Sequence, residues 1–419
     1  MSDRIDLGEP PGTELAASMT AALDSRLRAA DEALARQFPG DAPDRQPVHT
    51  VYVPADRFTD DLATVWGRAA LAAIDEHEAT FVSVAGDPQL VGLVRDKLGS
   101  EPIEDVRIDF EDGYGARGDE AEDADVSRAA SALARAVQSG VAPPYRGIRF
   151  KSLETPTRAR GIRTLTLFIA ALHEQGGTLD GFVVTLPKIT SVDQVEAMVE
   201  LTEGLEQGLG LTPRSLRFEL QIETPQSVLG PDGTALVSRM IHVGDGRVTG
   251  LHYGTYDYSA FCGISAAYQS MEHPVADHAK LVMQAAAAGT GVRLSDGSTN
   301  QLPLGDEAAV RRGWELHARL VQRSLERGFY QGWDLHPGQL PTRYAATYAF
   351  YRDALPQALT RLAAYTQHAA GQGIADEPAT ARALASYVLR GLQSGAVDET
   401  EVRAGVGLGA EQLAGLASR

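Results

Sequence analysis

The chain has 419 residues, 43% of them hydrophobic and 22% charged, with a formal net charge of -18. That length can bury a large core, while the charge excludes nucleic acid as the main partner and disfavours anionic membranes, since both need a basic face. A single cysteine, Cys262, excludes a disulfide framework and a multi-cysteine zinc site.

The N-terminal stretch MSDRIDLGEPPGTELAASMTAAL lacks the basic start and unbroken apolar core of a signal peptide. No window approaches the roughly 20 apolar residues of a membrane span, so a cytoplasmic protein is expected. Residues 13–37 read as an Ala-rich amphipathic helix, closed by the loop FPGDAPDRQP. Eight short runs of strand character follow, at 49–53 (HTVYV), 106–110 (VRIDF), 147–151 (GIRFK), 182–186 (FVVTL), 216–222 (LRFELQI), 248–253 (VTGLHY), 291–294 (GVRL) and 330–335 (YQGWDL). A further run, 80–84 (TFVSV), reads as an accessory strand. Stretches 60–76, 125–138, 157–173, 192–208 and 307–327 carry apolar residues at helical spacing. Strands alternating with helices imply a parallel sheet, and eight such units imply closure. The expected fold is therefore an α/β TIM-type (β/α)8 barrel at 48–345, with an N-terminal helical extension at 1–47 and a C-terminal helical tail at 346–419. The stretch 371–377 reads as a linker inside that tail. The acid-rich stretch 119–125 (DEAEDAD) reads as a solvated helix entry.

In this fold the active site lies at the C-terminal ends of the strands. The runs deliver there Pro54; then Asp109, Glu111 and Asp112; then Arg149 and Lys151; then Lys188. The later runs deliver Glu223, Asp257, Asp296, and Asp334 with His336. Glu223 and Asp257 follow neighbouring strands, and adjacent carboxylates repel unless a proton or cation lies between them. Oxygen ligation with open positions suits Mg2+; the alternative is a structural pair, each member bridged to an Arg or Lys. Arg149 can grip a carboxylate or enolate with two parallel hydrogen bonds, or form a core ion pair with Asp109 or Glu111. Lys188 reads as an electrostatic lysine, with a Schiff-base role as the alternative. His49, His252 and His336 lie on different strands and form no ligand cluster. No nucleophile elbow, P-loop or dinucleotide fingerprint opens a helix after a strand.

The ordered motifs YVPADRF, RIDFEDGYG, IRFK, TLPKITSVDQV, LQIETPQSVL, GRVTGLHYGTYDYSAFCG, LSDG and HPGQ run from about residue 48 to 345. Together they resemble the citrate lyase beta-subunit-like branch of the Mg2+-dependent 2-hydroxy-acid aldolase family, within the phosphoenolpyruvate/pyruvate barrel superfamily. The resemblance implies Mg2+, with Mn2+ as a substitute, held by Glu223 and Asp257. It implies Arg149 as the group that binds the substrate's oxyanion and carboxylate, and Gly254, Thr255 and Tyr256 as amides approaching a substrate carboxylate. Asp109, Glu111 and Lys188 then stand behind the metal ligands, with Asp112 beside them. Aldolases of this family that use a histidine base carry it where Asp112 stands here. That departure leaves the base open between a water ordered by Asp112 and a tail residue of a neighbouring subunit.

The implied activity is carbon–carbon lyase or aldolase chemistry on a 2-oxo (2-hydroxy) acid through a metal-stabilised enolate. The alternatives are an acyl-CoA lyase or thioesterase of the citryl- or malyl-CoA type, for which no clear basic cluster is present, and a non-catalytic barrel subunit. A homo-oligomer, trimer or hexamer, is expected from the resemblance alone.

Overall fold

In the computed structural model, which describes residues 12–42, 44–366 and 377–418, all eight main runs become parallel strands. They are β1 (His49–Pro54), β2 (Asp105–Asp109), β3 (Tyr145–Arg149), β4 (Phe182–Leu186), β5 (Arg217–Ile222), β6 (Val248–Tyr253), β7 (Arg293–Ser295) and β8 (Gly332–Asp334). Each strand pairs with its neighbour in sequence, and β1 also pairs with β8. Between β7 and β8 the ladder reduces to a bridge from Ser295 to Gln331, with the Asp296 N–H donating to the Gln331 carbonyl at 2.8 Å. The sheet is thus a nearly closed TIM-type barrel, and the expected fold class is borne out.

One expected element is overturned. The run 80–84 lies inside the helix Glu78–Ala85. Its β-branched composition yields to packing: Phe81 is fully buried and meets Trp314 edge-on, ring centroids 5.4 Å apart. Strand propensity is weak where burial decides the conformation.

The barrel interior is ionic, a consequence of period-2 alternation in the strands. In β2, Asp105, Arg107 and Asp109 alternate with the buried apolar residues Val106 and Ile108; in β5, Glu219 and Gln221 alternate with Phe218, Leu220 and Ile222. Arg107 reaches across the barrel, donating to Glu219 from Nε (2.9 Å) and Nη2 (2.8 Å) and to the Thr185 hydroxyl (3.1 Å), and it also pairs with Asp105. Glu219 is further held by His252 Nε2 at 2.9 Å. Trp333 Nε1 donates to His252 Nδ1 (3.1 Å), so the imidazole hydrogen sits on Nε2, toward Glu219. Charges buried this deeply persist because each finds a partner of opposite sign with good geometry.

The helix Thr13–Gln37 carries no buried residue. At the other end, the helix Leu340–Thr366 is clamped to β8 by Asp334, which accepts from Arg343 Nε (3.0 Å) and Nη2 (2.9 Å), His49 Nδ1 (2.9 Å) and His317 Nε2 (3.0 Å). Tyr344 of that helix donates to the Pro102 carbonyl, near the entry to β2 (3.0 Å). Helices Pro378–Ser394, Glu399–Val406 and Ala410–Ala417 complete the tail. The expected linker at 371–377 lies outside the described residues except for Glu377. No described helix is long and apolar enough to cross a membrane.

Candidate active site

At the C-terminal mouth of the barrel, segments following three strands bring their carboxylates to one lysine, which follows a fourth. Lys188, just past β4, has φ 50, a left-handed backbone unusual for a residue other than glycine. In this conformation its N–H donates to Glu223 Oε1 at 2.7 Å. Its ammonium lies 2.7 Å from Asp257 Oδ2, 3.0 Å from Asp112 Oδ2 and 3.3 Å from Glu111 Oε1. Strained backbone of this kind persists where the surroundings over-determine it, and it concentrates at functional sites.

Glu223 is buried at the end of β5, and its second oxygen accepts from Gln221 Nε2 at 2.5 Å. Burial pushes its carboxyl up to about 8, with Glu111 and Asp257 adding to the shift and Lys188 and Arg149 opposing it. Burial likewise lifts Glu111 to about 7; Asp112 adds to that rise, and Arg149 and Lys188 oppose it. Burial acts to lower the Lys188 ammonium, but Glu223, Glu111, Asp257 and Asp112 outweigh it and raise its pKa. The mouth thus gathers five acids (Asp109, Glu111, Asp112, Glu223, Asp257) against two bases (Arg149, Lys188), an excess of negative charge in a poorly solvated place.

Arg149 ends β3. Its Nε and Nη2 both lie 2.7 Å from the two oxygens of Asp109, a bidentate pair. Its Nη1 is 3.3 Å from Glu111 Oε2 and 3.4 Å from Gln221 Oε1. The Tyr52 ring stacks under the guanidinium at 4.8 Å. The core ion pair weighed from the sequence is therefore present, and it leaves the Nη1 edge turned toward the acid cluster. Asp109 also accepts the N–H groups of Glu111 (3.0 Å) and Gly113 (2.9 Å), which shapes the turn that presents Glu111 and Asp112.

Gly254, Thr255 and Tyr256 stand at the end of β6. A Cβ on Gly254 would fall 2.5 Å from the Glu223 Cβ and 2.9 Å from its Oε2, so only glycine lets β6 pass this close to the glutamate. The Gly254 N–H is already taken by the Ile222 carbonyl (3.0 Å). Thr255 accepts the Ser298 N–H through its hydroxyl (3.3 Å), and the Tyr256 hydroxyl accepts the Asn300 N–H (2.6 Å), tying the 296–300 loop to the mouth. Asp257 lies in the first turn of the helix Thr255–Phe261.

Other strand-end charges turn away from this cluster. Lys151 binds the Phe110 carbonyl (2.6 Å) and Glu122 (2.7 Å). Asp296 is buried against Lys280 (3.0 Å) and the Ser324 hydroxyl (2.7 Å). Asp334 serves the tail clamp, and His336 Nδ1 accepts the Gly338 N–H (3.0 Å), capping a single turn. Sequence reasoning missed Gln221 and Tyr52. The signal for Gln221 was available, because 219, 221 and 223 form a polar period-2 ladder inside an apolar strand. Among the described residues no three His, Cys, Asp or Glu side chains form a ready-made metal cage; the carboxylates are instead arranged around the Lys188 ammonium.

Comparison with known proteins gives a family and a fold. The family described as a domain of unknown function, DUF6986, matches residues 27–419. No curated protein matches the chain. Among solved structures, a citrate lyase from Burkholderia xenovorans LB400 covers 86% of this chain and 98% of its own, at 18% identity and a TM-score of 0.58. Haloferax volcanii malate synthase, crystallised at 3 mM glyoxylate, covers 89% and 99% at 16% identity, with a TM-score of 0.50. At such identities the likeness is one of fold.

Proposed function

The chain belongs to the DUF6986 family, and we propose that it is a divalent-metal-dependent carbon–carbon lyase of the aldolase or citrate lyase kind, acting on a 2-oxo acid through an enolate. The observation that carries the reading is the gathering of Glu111, Asp112 and Asp257 around the Lys188 ammonium and of Glu223 on the Lys188 N–H, with the Arg149 guanidinium beside them. The donor set is all oxygen and carries excess negative charge, which suits a hard dication such as Mg2+ better than a soft metal.

Glu223 and Asp257 would hold the cation, and it would supply Lewis-acid charge for an enolate oxygen. The remaining chemistry belongs to the chain's own groups. Arg149, fixed by Asp109 along one edge, offers its Nη1 edge to the substrate's carboxylate or developing oxyanion. Asp112, whose side chain is 54% exposed, is the most accessible acid of the cluster and takes the hydroxyl proton of a 2-oxo-4-hydroxy acid, directly or through water. Tyr52 and Trp333 wall the Arg149 side and keep that charge pair out of bulk solvent.

The test is a panel of 2-oxo-4-hydroxy acids and short hydroxyacyl-CoA thioesters, assayed in Mg2+ and after EDTA. Mg2+-dependent release of pyruvate or glyoxylate from a free acid is expected. Activity that survives EDTA would remove the metal from the reading and direct attention to Lys188 as a Schiff-base former. A second expectation concerns Gly254. Gly254→Ala should push the Glu223 carboxylate aside and weaken Mg2+ binding, measured by calorimetry, by about 10–100-fold, the range seen when groups that orient a metal ligand are disturbed. An unchanged affinity would mean that Glu223 need not hold its present position.

A further inference from the structure

Lys188 occupies the centre of the acid cluster, and its surroundings assign it a part beyond general electrostatics. We infer that its ammonium is a resident counter-cation, filling the cluster in the metal-free protein and swinging out when a divalent cation enters. The inference rests on the metal-dependent reading above.

Three features carry it. First, the ammonium touches carboxylates that follow β2 and β6, at 2.7–3.3 Å, while its own backbone N–H binds the carboxylate that follows β5. A monovalent charge therefore lies among the oxygens that a dication would draw together, and two cations cannot share that place. Second, the anchor and the charge are separable. The backbone N–H of Lys188 is fixed to Glu223, whereas the ammonium rides on a flexible four-carbon stem. Its side chain is 20% exposed and its partner Asp112 is 54% exposed, so a path to solvent is open beside it. Third, the chain has only four lysines, at 97, 151, 188 and 280. Lys97 serves Glu104 with Glu101, Lys151 serves Glu122, and Lys280 serves Asp296 with Asp277, all away from the cluster. Lys188 alone of the four enters the acid cluster at the mouth.

The displaced ammonium stays tethered at the mouth, where it becomes available to the carboxylate of an arriving acid. Metal then loads before substrate, because the ammonium is released only when the dication takes over its acids.

Calorimetric titration of Mg2+ into metal-free full-length protein tests this in wild type, Lys188→Met and Lys188→Arg. Lys188→Met should bind Mg2+ at least about 10-fold more tightly than wild type, with a lower metal-free melting temperature that recovers on adding Mg2+; Lys188→Arg should bind no more tightly than wild type. Equal or weaker binding in Lys188→Met overturns the inference while leaving the metal reading intact. Absence of binding in both wild type and Lys188→Met overturns the metal reading itself. A second measurement needs no variant. Acetylation of wild type by acetic anhydride, read by mass spectrometry, should rise several-fold at Lys188 when Mg2+ is added, with Lys97, Lys151 and Lys280 unchanged. Labelling of Lys188 that is indifferent to bound Mg2+ overturns the inference.

Discussion

Glu223→Gln is expected to reduce Mg2+-dependent turnover by about 10³-fold or more, while the metal-free protein melts no lower than wild type. The two halves of this result come from one fact. Glu223 is fully buried, and burial raises its carboxyl to about 8, so near neutral pH the folded protein resists ionising it. A group whose pKa is raised on folding favours the fold while it is protonated. That contribution is present below the ordinary glutamate value and fades as pH rises toward 8. A neutral amide of the same shape avoids the penalty and can still accept the Lys188 N–H. An ionisable carboxyl thus stands where its charged form costs stability, which fits a group kept for binding a cation better than a structural ion pair. Thermal scans beside kinetic assays decide: a marked fall in melting temperature with activity intact would return Glu223 to a structural role.

Asp334→Ala is expected to destabilise the fold by about 3–5 kcal/mol, the usual loss when one partner of a buried charge pair is removed. Asp334 accepts from Arg343, His49 and His317, and all four side chains are at most 5% exposed. Without the carboxylate, the Arg343 charge stays buried with no counter-ion, and the helix Leu340–Thr366 loses its clamp on β8. Burial works to raise the Asp334 carboxyl, but Arg343 and the two histidine hydrogen bonds hold it well below the ordinary carboxylate range. A carboxyl depressed in the fold stabilises above its unfolded value, near 3.9, and loses that contribution as pH falls below it. The gap between wild type and Asp334→Ala in urea unfolding should therefore be full from about pH 5 upward and narrow in stronger acid. A gap that stayed constant into strong acid would place the effect in packing and not in charge.

Much of this arrangement was legible in the sequence. Alternating strand and helix periodicity is a local property of the chain, set by which positions must be apolar to face helices and which face the barrel lumen. Eight parallel units then leave few ways to bury both faces, so the barrel and its strand order follow. The same logic points to the C-terminal mouth and to charges such as Glu223 and Asp257 that directly follow apolar runs.

The remainder depended on partners far apart in the chain. Residues 80–84 read as a strand from their composition, but a helix there buries Phe81 in the core against partners distant in the chain such as Trp314. Asp296, Asp334 and Lys151 follow strands just as Glu223 and Arg149 do, yet Lys280, Arg343 and Glu122 take them up; a strand-end charge does not reveal its partner. Lys188 shows the limit most clearly. Its position after β4 could be read, but a left-handed backbone that binds Glu223 while the ammonium joins Glu111, Asp112 and Asp257 arises only when four strand ends meet. By itself the sequence determined periodicity, topology and the charges offered to the mouth. Which charges meet, and which are neutralised before a ligand can reach them, was decided by tertiary structure, because electrostatic pairing depends on distance and burial across the barrel.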